Sequence, residues 1–362
     1  MYGAFYSRVL SRVDAERAHL VGTRALALLA RAPRPAFDPV LRVDALGLRF
    51  DSPLGVAAGL DKHATAFEGL GNLGFGFVEV GTITAVAQPG NPRPRVWRLP
   101  RDRALMNAMG FPNPGAQAVA PMLARRSGRG IVAINIGKSK VAPLEDAAAD
   151  YRASAKLLAP HADFVVINVS SPNTSGLRDL QTIEQLRGLV AAVRGETDRP
   201  VLVKLAPDLT DEQLDQLADF AVEVKLDGLI ATNTTISREG LHAPADVLAN
   251  PGGVSGAPLK QRSLDVLKRL RARVGDQVLL VSVGGVETAD DVLTRIRAGA
   301  TLVQGYTGFV YGGPLWARRI NRELAAAVRA AGAATIQDLV GNEVGIRPGV
   351  AHAAPAPDGA RG

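Results

Sequence analysis

The chain has 362 residues, 47% of them hydrophobic and 21% charged, with a formal charge of +7. That is ample apolar material for a full core, and the charged fraction is too ordinary for a disordered chain. No cysteine and only five histidines exclude a disulfide scaffold, a thiolate metal site and a catalytic thiol, and argue against a His-based metal site.

The N-terminus lacks the uninterrupted apolar run and small-residue cleavage site of a signal peptide, and Arg8, Arg12, Arg17, Arg24 and Arg31 recur through it. No stretch reaches the roughly 20 apolar residues that crossing a membrane needs. Tyr2, Phe5, Tyr6, Val9, Leu10 and Val13 fall on one helical face. A second helix is expected from about Asp14 to Ala30, with Leu20, Val21, Leu26, Leu28 and Leu29 as its apolar set. Two readings stand open: surface helices packed on the main domain, or an interfacial hairpin with its arginines near anionic headgroups. Residues 1–40 are therefore one unit, 41–335 a second, and 336–362 a largely disordered tail, whose stretch Gly345–Gly362 is rich in Ala, Pro and Gly.

From Leu41 the pattern changes. Leu41–Val43 and Leu48–Phe50 flank Asp44–Gly47 as a hairpin. Eight short apolar strands follow: Gly55–Ala58, Phe77–Gly81, Ile131–Ile136, Phe164–Val169, Val201–Leu205, Gly228–Thr232, Val278–Val283 and Leu302–Gly305. Helical periodicity fills most of the gaps, at Ala64–Leu70, Pro114–Arg126, Leu144–Leu158, Ile183–Val193, Asp211–Glu223, Leu259–Val274 and Ala289–Ala298, and Pro314–Ala330 closes the series. Continuous rather than alternating apolar runs mark parallel strands buried on both faces. Eight strand–helix units predict an α/β fold of the (β/α)8 TIM-barrel type, with an N-terminal helical hairpin extension. An open doubly wound sheet is the alternative, but the first strand lacks its G-x-G-x-x-G turn.

Polar residues gather at the carboxyl ends of these strands, where such barrels do their chemistry. They are Asp61-Lys62, Thr82, Asn135, Asn168 with Ser170-Ser171-Pro172-Asn173, Lys204, Thr232-Asn233-Thr234, Gly284-Gly285 and Tyr306-Thr307. Taken singly, each Ser, Thr, Asn or Asp could be a helix cap; together they read as a site. An unpaired buried ammonium is costly, so something anionic or electron-rich should meet Lys62 and Lys204. The glycine turns after strands seven and eight suit a phosphate, with Gly252-Gly253-Val254-Ser255-Gly256 as a third glycine-rich turn. These glycines, Lys204 and the amides favour FMN over a sugar phosphate. No histidine stands near Ser171 in the sequence, so acyl transfer fits poorly, whereas proton removal from an acidic carbon with an electron sink opposite is reasonable.

At these residues the chain resembles the membrane-associated, quinone-reducing class 2 dihydroorotate dehydrogenases. The matching strings are Asp14-Ala15-Glu16-Arg17-Ala18-His19, Ala57-Ala58-Gly59-Leu60-Asp61-Lys62, Glu79-Val80-Gly81-Thr82, Gln88-Pro89-Gly90-Asn91 and Pro94-Arg95-Val96-Trp97-Arg98. They continue with Met109-Gly110-Phe111, Ile134-Asn135-Ile136-Gly137-Lys138, Ile167-Asn168-Val169-Ser170-Ser171-Pro172-Asn173-Thr174 and Lys204-Leu205-Ala206-Pro207-Asp208. Ala231-Thr232-Asn233-Thr234-Thr235, Gly253-Val254-Ser255-Gly256 and Leu302-Val303-Gln304 complete the set, in family order over nearly the whole chain.

The resemblance implies oxidation of (S)-dihydroorotate to orotate in pyrimidine synthesis, with a membrane quinone as final acceptor. It makes Ser171 the base at C5, with the C6 hydride going to FMN N5. It places FMN against Ala58, Gly59, Leu60, Asp61, Lys62, Thr82, Asn135, Asn168, Lys204, Thr232, Gly256, Gly285, Tyr306 and Thr307. Substrate would meet Lys62, Asn107, Ala108, Met109, Gly110, Phe111, Asn168, Asn173, Asn233 and Thr234. The N-terminal helices would form a funnel for quinone, with His19, Arg98 and Tyr306 at its inner end, on a protein peripheral to the cytoplasmic side of the cell membrane. The family commonly carries Arg where this chain has Ala108, so any contact there falls to backbone. An RNA-modifying flavin barrel of the dihydrouridine synthase kind needs a cysteine, which this chain lacks, so no nucleic-acid partner is expected. NAD-linked dihydroorotate enzymes carry Cys where Ser171 stands, and a pure binding protein explains neither Ser171 nor the lysines.

Overall fold

The computed structural model describes residues 2–8 and 12–344. Val9 and Leu10 of the first expected helix, and the tail Gly345–Gly362, lie outside the described residues. Two helices open the chain, α1 (Tyr2–Arg8) and α2 (Ala15–Leu28), the second running into a 3-10 turn over Leu29–Arg31. Asp14 caps α2 by accepting from Arg17 N at 2.8 Å. The hairpin β1 (Val43–Ala45) and β2 (Leu48–Phe50) turns at Leu46 and Gly47, both at positive φ, as a two-residue hairpin loop requires.

In chain order the remaining strands are β3 (Leu54–Val56), β4 (Phe77–Ile83), β5 (Val96–Leu99), β6 (Ala104–Asn107), β7 (Ile131–Ile136), β8 (Phe164–Asn168), β9 (Val201–Leu205), β10 (Gly228–Ala231), β11 (Gly253–Gly256), β12 (Leu279–Val283) and β13 (Leu302–Gly305). The helices are α3 (Phe67–Asn72), α4 (Ala116–Ala124), α5 (Ala147–Leu158), α6 (Ile183–Arg194), α7 (Asp211–Glu223), α8 (Ala245–Leu248), α9 (Lys260–Val274), α10 (Ala289–Arg297), α11 (Thr307–Gly312) and α12 (Trp316–Ala330). Strands β3, β4, β7, β8, β9, β10, β12 and β13 close into a parallel barrel in that sequence, β13 pairing back onto β3. This is the expected (β/α)8 barrel, and each expected strand lies within two residues of its observed ends.

Three aromatic rings plug the amino-terminal end of the barrel. Phe50 of the hairpin packs edge-on against Phe77 at 5.5 Å between centroids and at a tilt against Phe164 at 6.5 Å, all three buried. Residue 55 must be glycine here, because a Cβ would run into the Phe77 ring. Helix starts follow local chemistry: Thr210 with Gln213 and Thr288 with Asp291 form capping boxes at α7 and α10.

Two expectations need correction. The Gly252–Gly256 segment, expected as a third glycine-rich turn, is instead a strand over Gly253–Gly256, β11, pairing antiparallel with β6, which pairs with β5 in a three-stranded sheet beside the barrel mouth. A strand of Gly-Val-Ser-Gly has too little apolar alternation to be read from sequence. The boundary at residue 335 is also too early. Ile336, Leu339 and Val340 are buried against the barrel, and Gln337 Oε1 accepts from Asp44 N at 3.1 Å.

Candidate active site

One cavity of about 740 Å³ opens at the carboxyl ends of the barrel strands and continues beneath the N-terminal helices. Its barrel wall carries Ser171, Lys62, Lys204 and the amides of Asn107, Asn168, Asn173 and Asn233. Its outer wall carries His19, Leu26, Leu29 and Tyr6 from the helices. A single space thus joins a polar, strand-end pocket to an apolar passage.

Strand β8 delivers Asn168, and the chain then leaves the barrel through Ser170 and Ser171, both buried. Ser171 Oγ accepts from Asn173 N at 3.2 Å, while Ser170 Oγ donates to Asn168 Oδ1 at 3.2 Å and accepts from Asn233 Nδ2 at 3.0 Å. Asn173 Nδ2 donates to Asn107 Oδ1 at 3.0 Å, and its own Oδ1 is buried without a partner. Asn91 Nδ2 holds the carbonyls of Ala108 and Asn173 at 3.0 and 2.9 Å, which pins the segment Asn107–Phe111 over the Ser171 loop. Thr234 stands close enough to Gly253 that a Cβ there would collide with its hydroxyl.

The expected partner of Lys204 lies inside the protein. Its ammonium is 3.1 Å from Glu79 Oε2, and both groups are buried. Glu79 is the lone charge inside the fully buried run of β4, and that isolation is the signal in the sequence that marks it. Thr82 Oγ1 donates to Asn135 Oδ1 at 2.6 Å, and Asn168 Nδ2 donates to Thr82 Oγ1 at 2.9 Å. Asn135 does not border the cavity but stands one layer behind it. Asp61 is likewise outside the wall, its carboxylate accepting from the backbone N–H groups of His63, Thr65 and Ala66. Ala108, expected to meet substrate through its backbone, does not border the cavity: its N–H donates to Arg95 O at 2.8 Å and its carbonyl accepts from Asn91 Nδ2.

The other expected residues, Ala58, Gly59, Leu60, Thr82, Thr232, Thr234, Met109, Gly110, Phe111, Gly256, Gly285, Tyr306 and Thr307, all border the cavity. Gly59 O receives both Lys62 Nζ and, at 3.3 Å, the Tyr306 hydroxyl. Burial pushes the Tyr306 phenol up to about 12, so it stays a donor. Burial pushes the Lys62 ammonium down to about 8, against the pull of Glu16 and Asp61. His19 is driven to about 3 by burial and by the nearby Lys62, so it is neutral near pH 7.

The residues fit a flavin nucleotide. Gly256, Gly284 and Gly285 sit at positive φ where the backbone borders the cavity, and a Cβ on Gly285 would lie 2.5 Å from Lys260 Cα. Gln304, fully buried in the cavity wall, has an Oε1 with no partner and so offers an acceptor to a ring N–H. Among the described residues no cluster of metal-ligating side chains exists.

A closed parallel barrel with such a strand-end cavity, gathering a serine, lysines and amides beside glycine turns, defines an enzyme of the (β/α)8 class. Residues 40–328 match the family model described as dihydroorotate dehydrogenase. Proteins called dihydroorotate dehydrogenase (quinone) from Thermobifida fusca and Rhodococcus erythropolis are each 56% identical, covering 95% and 92% of this chain and 97% of each relative. The crystal structure of DHODH from Eimeria tenella in complex with ferulenol superposes with a TM-score of 0.86 at 39% identity, covering 91% of this chain and 96% of that one. The chain belongs to the dihydroorotate dehydrogenase family.

Proposed function

We propose that this protein oxidises (S)-dihydroorotate to orotate in pyrimidine biosynthesis, with FMN in the barrel mouth and a membrane quinone as the final acceptor. The observation that carries it is the single cavity, in which Ser171 and Lys204 share a polar chamber that runs into a passage walled by the N-terminal helices. Names of the relatives, dihydroorotate dehydrogenase (quinone), support the same substrate pair.

Gly256, Gly285, Thr307 and the backbone around Ala58–Lys62 would hold FMN, with Thr82, Asn168, Lys204, Thr232 and Tyr306 around it and Asn135 and Asp61 supporting from behind. When bound, FMN would supply two-electron acceptor chemistry for the hydride lost from C6 and a route for the electrons to quinone. Ser171 Oγ takes the C5 proton as its own hydroxyl proton is released to water, and the Asn173 N–H that donates to Oγ holds the oxygen in place. Lys62 neutralises the substrate carboxylate. The amides of Asn107, Asn168, Asn173 and Asn233, with Thr234 and the backbone of Met109–Phe111, supply donors and acceptors for a flat pyrimidine ring.

Quinone reaches the inner end of the passage at His19, Arg98 and Tyr306. Arg98 Nη1 is anchored on Val13 O at 2.6 Å, which ties the passage to the helical segment. Peripheral attachment to the cytoplasmic face of the membrane is supported by the outer face of α2, where Val21 and Leu28 are 65% and 84% exposed and Arg17, Arg24 and Arg31 are exposed around them. No helix among the described residues is long and apolar enough to cross a membrane. Purified protein should show a flavin absorbance spectrum that dihydroorotate bleaches without oxygen; colourless protein that stays inert after addition of FMN would refute the assignment.

A further inference from the structure

Glu79 is fully buried, does not border the cavity, and is used by no step above. Four donors converge on its carboxylate. Lys204 Nζ lies 3.1 Å from Oε2 and 3.4 Å from Oε1, Gln304 Nε2 is 2.7 Å from Oε2, Asn135 Nδ2 is 2.6 Å from Oε1, and Ala58 N is 3.3 Å from Oε2. No other carboxylate among the described residues pairs with Lys204.

A carboxylate only accepts hydrogen bonds, so its polarity propagates. Asn135 must turn its NH2 toward Glu79 and its carbonyl away. That carbonyl receives Thr82 Oγ1 at 2.6 Å and Asn168 Nδ2 at 3.2 Å. Asn168 in turn presents its carbonyl to Ser170 and to Asn233 Nδ2 at 3.4 Å. The same carboxylate offsets the charge of Lys204, the ammonium that does border the cavity.

We propose that Glu79 is a positioning residue that sets the charge and amide polarity met by the electron acceptor, by partly neutralising Lys204 and orienting Asn135 and Asn168. The inference rests on FMN occupying the barrel mouth. Reduction adds electron density to a flavin, and an ammonium with its carboxylate removed favours that added charge more strongly in a low-dielectric site. Glu79 therefore holds the flavin potential down and keeps onward transfer to quinone favourable.

The test is an anaerobic reductive titration of the flavin-loaded full chain. Glu79→Gln, nearly isosteric, should bind reduced flavin about tenfold more tightly relative to oxidised flavin, an upward midpoint shift of about 30 mV for two electrons. Adding Glu79→Gln to Lys204→Met provides a second comparison, because replacing both partners of a buried pair is tolerated better than removing one. There too the midpoint should rise relative to Lys204→Met alone. A midpoint unmoved or lowered by Glu79→Gln in both backgrounds, with flavin content intact, overturns the proposal. Loss of flavin from every Glu79 variant also overturns it, because the carboxylate is then only structural. Wild-type protein that binds no FMN instead sinks the functional reading itself, and this inference with it.

Discussion

Glu16 of α2 and Arg95, which precedes β5, meet twice across the boundary between helices and barrel, at 2.6 Å (Nη2 to Oε1) and 3.2 Å (Nε to Oε2). Arg93 joins them with two bonds of 2.9 Å, and Arg95 Nη1 also holds the carbonyls of Pro89 and Asn91. The cluster latches the outer wall of the passage to the sheet beside the site. Glu16→Ala leaves Arg95 buried without its carboxylate, a loss of about 3 kcal/mol typical of breaking a buried pair. Thermal unfolding should shift down, and turnover with a long-chain quinone should fall more than turnover with a soluble dye.

The same latch has a pH signature. Burial alone would raise the Glu16 carboxyl, but the guanidiniums of Arg95 and Arg93 hold it down at about 2. Its folded value is below its unfolded value, so its contribution is complete above about pH 4.5 and is lost as pH falls from there toward 2. Acid unfolding of wild type should lose stability through that window, and Glu16→Gln should flatten the loss.

Lys62, at about 8, should govern anion binding at the alkaline end. Its charged fraction falls as pH rises through 8, so orotate affinity should weaken between pH 7 and 9. Lys62→Met should bind orotate weakly at both ends of that range. A wild-type dissociation constant that is flat across the range would remove Lys62 from carboxylate recognition.

Ser171→Ala should cut the rate of flavin reduction by dihydroorotate by about 10²–10⁴-fold, the range of general-base catalysis. Flavin content should be unchanged, because Ser171 Oγ has one hydrogen bond within the chain, from Asn173 N. Stopped-flow bleaching checks both points in one sample.

Val21 and Leu28 touch little of the barrel, so replacing both with Asp should leave the thermal unfolding midpoint close to wild type. Each apolar side chain buried in lipid contributes about 1.5–3 kcal/mol, so sedimentation with anionic vesicles should fall at least tenfold in the double variant. Unchanged vesicle binding would point to a different face.

The barrel was legible because each buried parallel strand announces itself as a run such as Ile131–Ile136 or Val201–Leu205, and the polar residues after those runs could only sit at the strand carboxyl ends. The sheet of β5, β6 and β11 was not legible, because β11 finds its partner nearly 150 residues upstream, Gly253 opposite Asn107. The first helix was half legible. Tyr2 and Tyr6 lie on one face, and of the two open readings that face takes packing on the main domain, against α11, with Tyr2 OH donating to Val310 O at 2.9 Å and Tyr6 5.0 Å from the Tyr311 ring.

Local chemistry alone therefore determined the architecture and the identity of the residues at its mouth, since hydrophobic runs and strand-end polarity are properties of neighbouring residues. Closure of the barrel decided what those residues do to one another. Lys204 and Glu79 are 125 positions apart and Arg95 and Glu16 79 apart. Which charge meets which depends on strand order and register, and no local pattern carries that information.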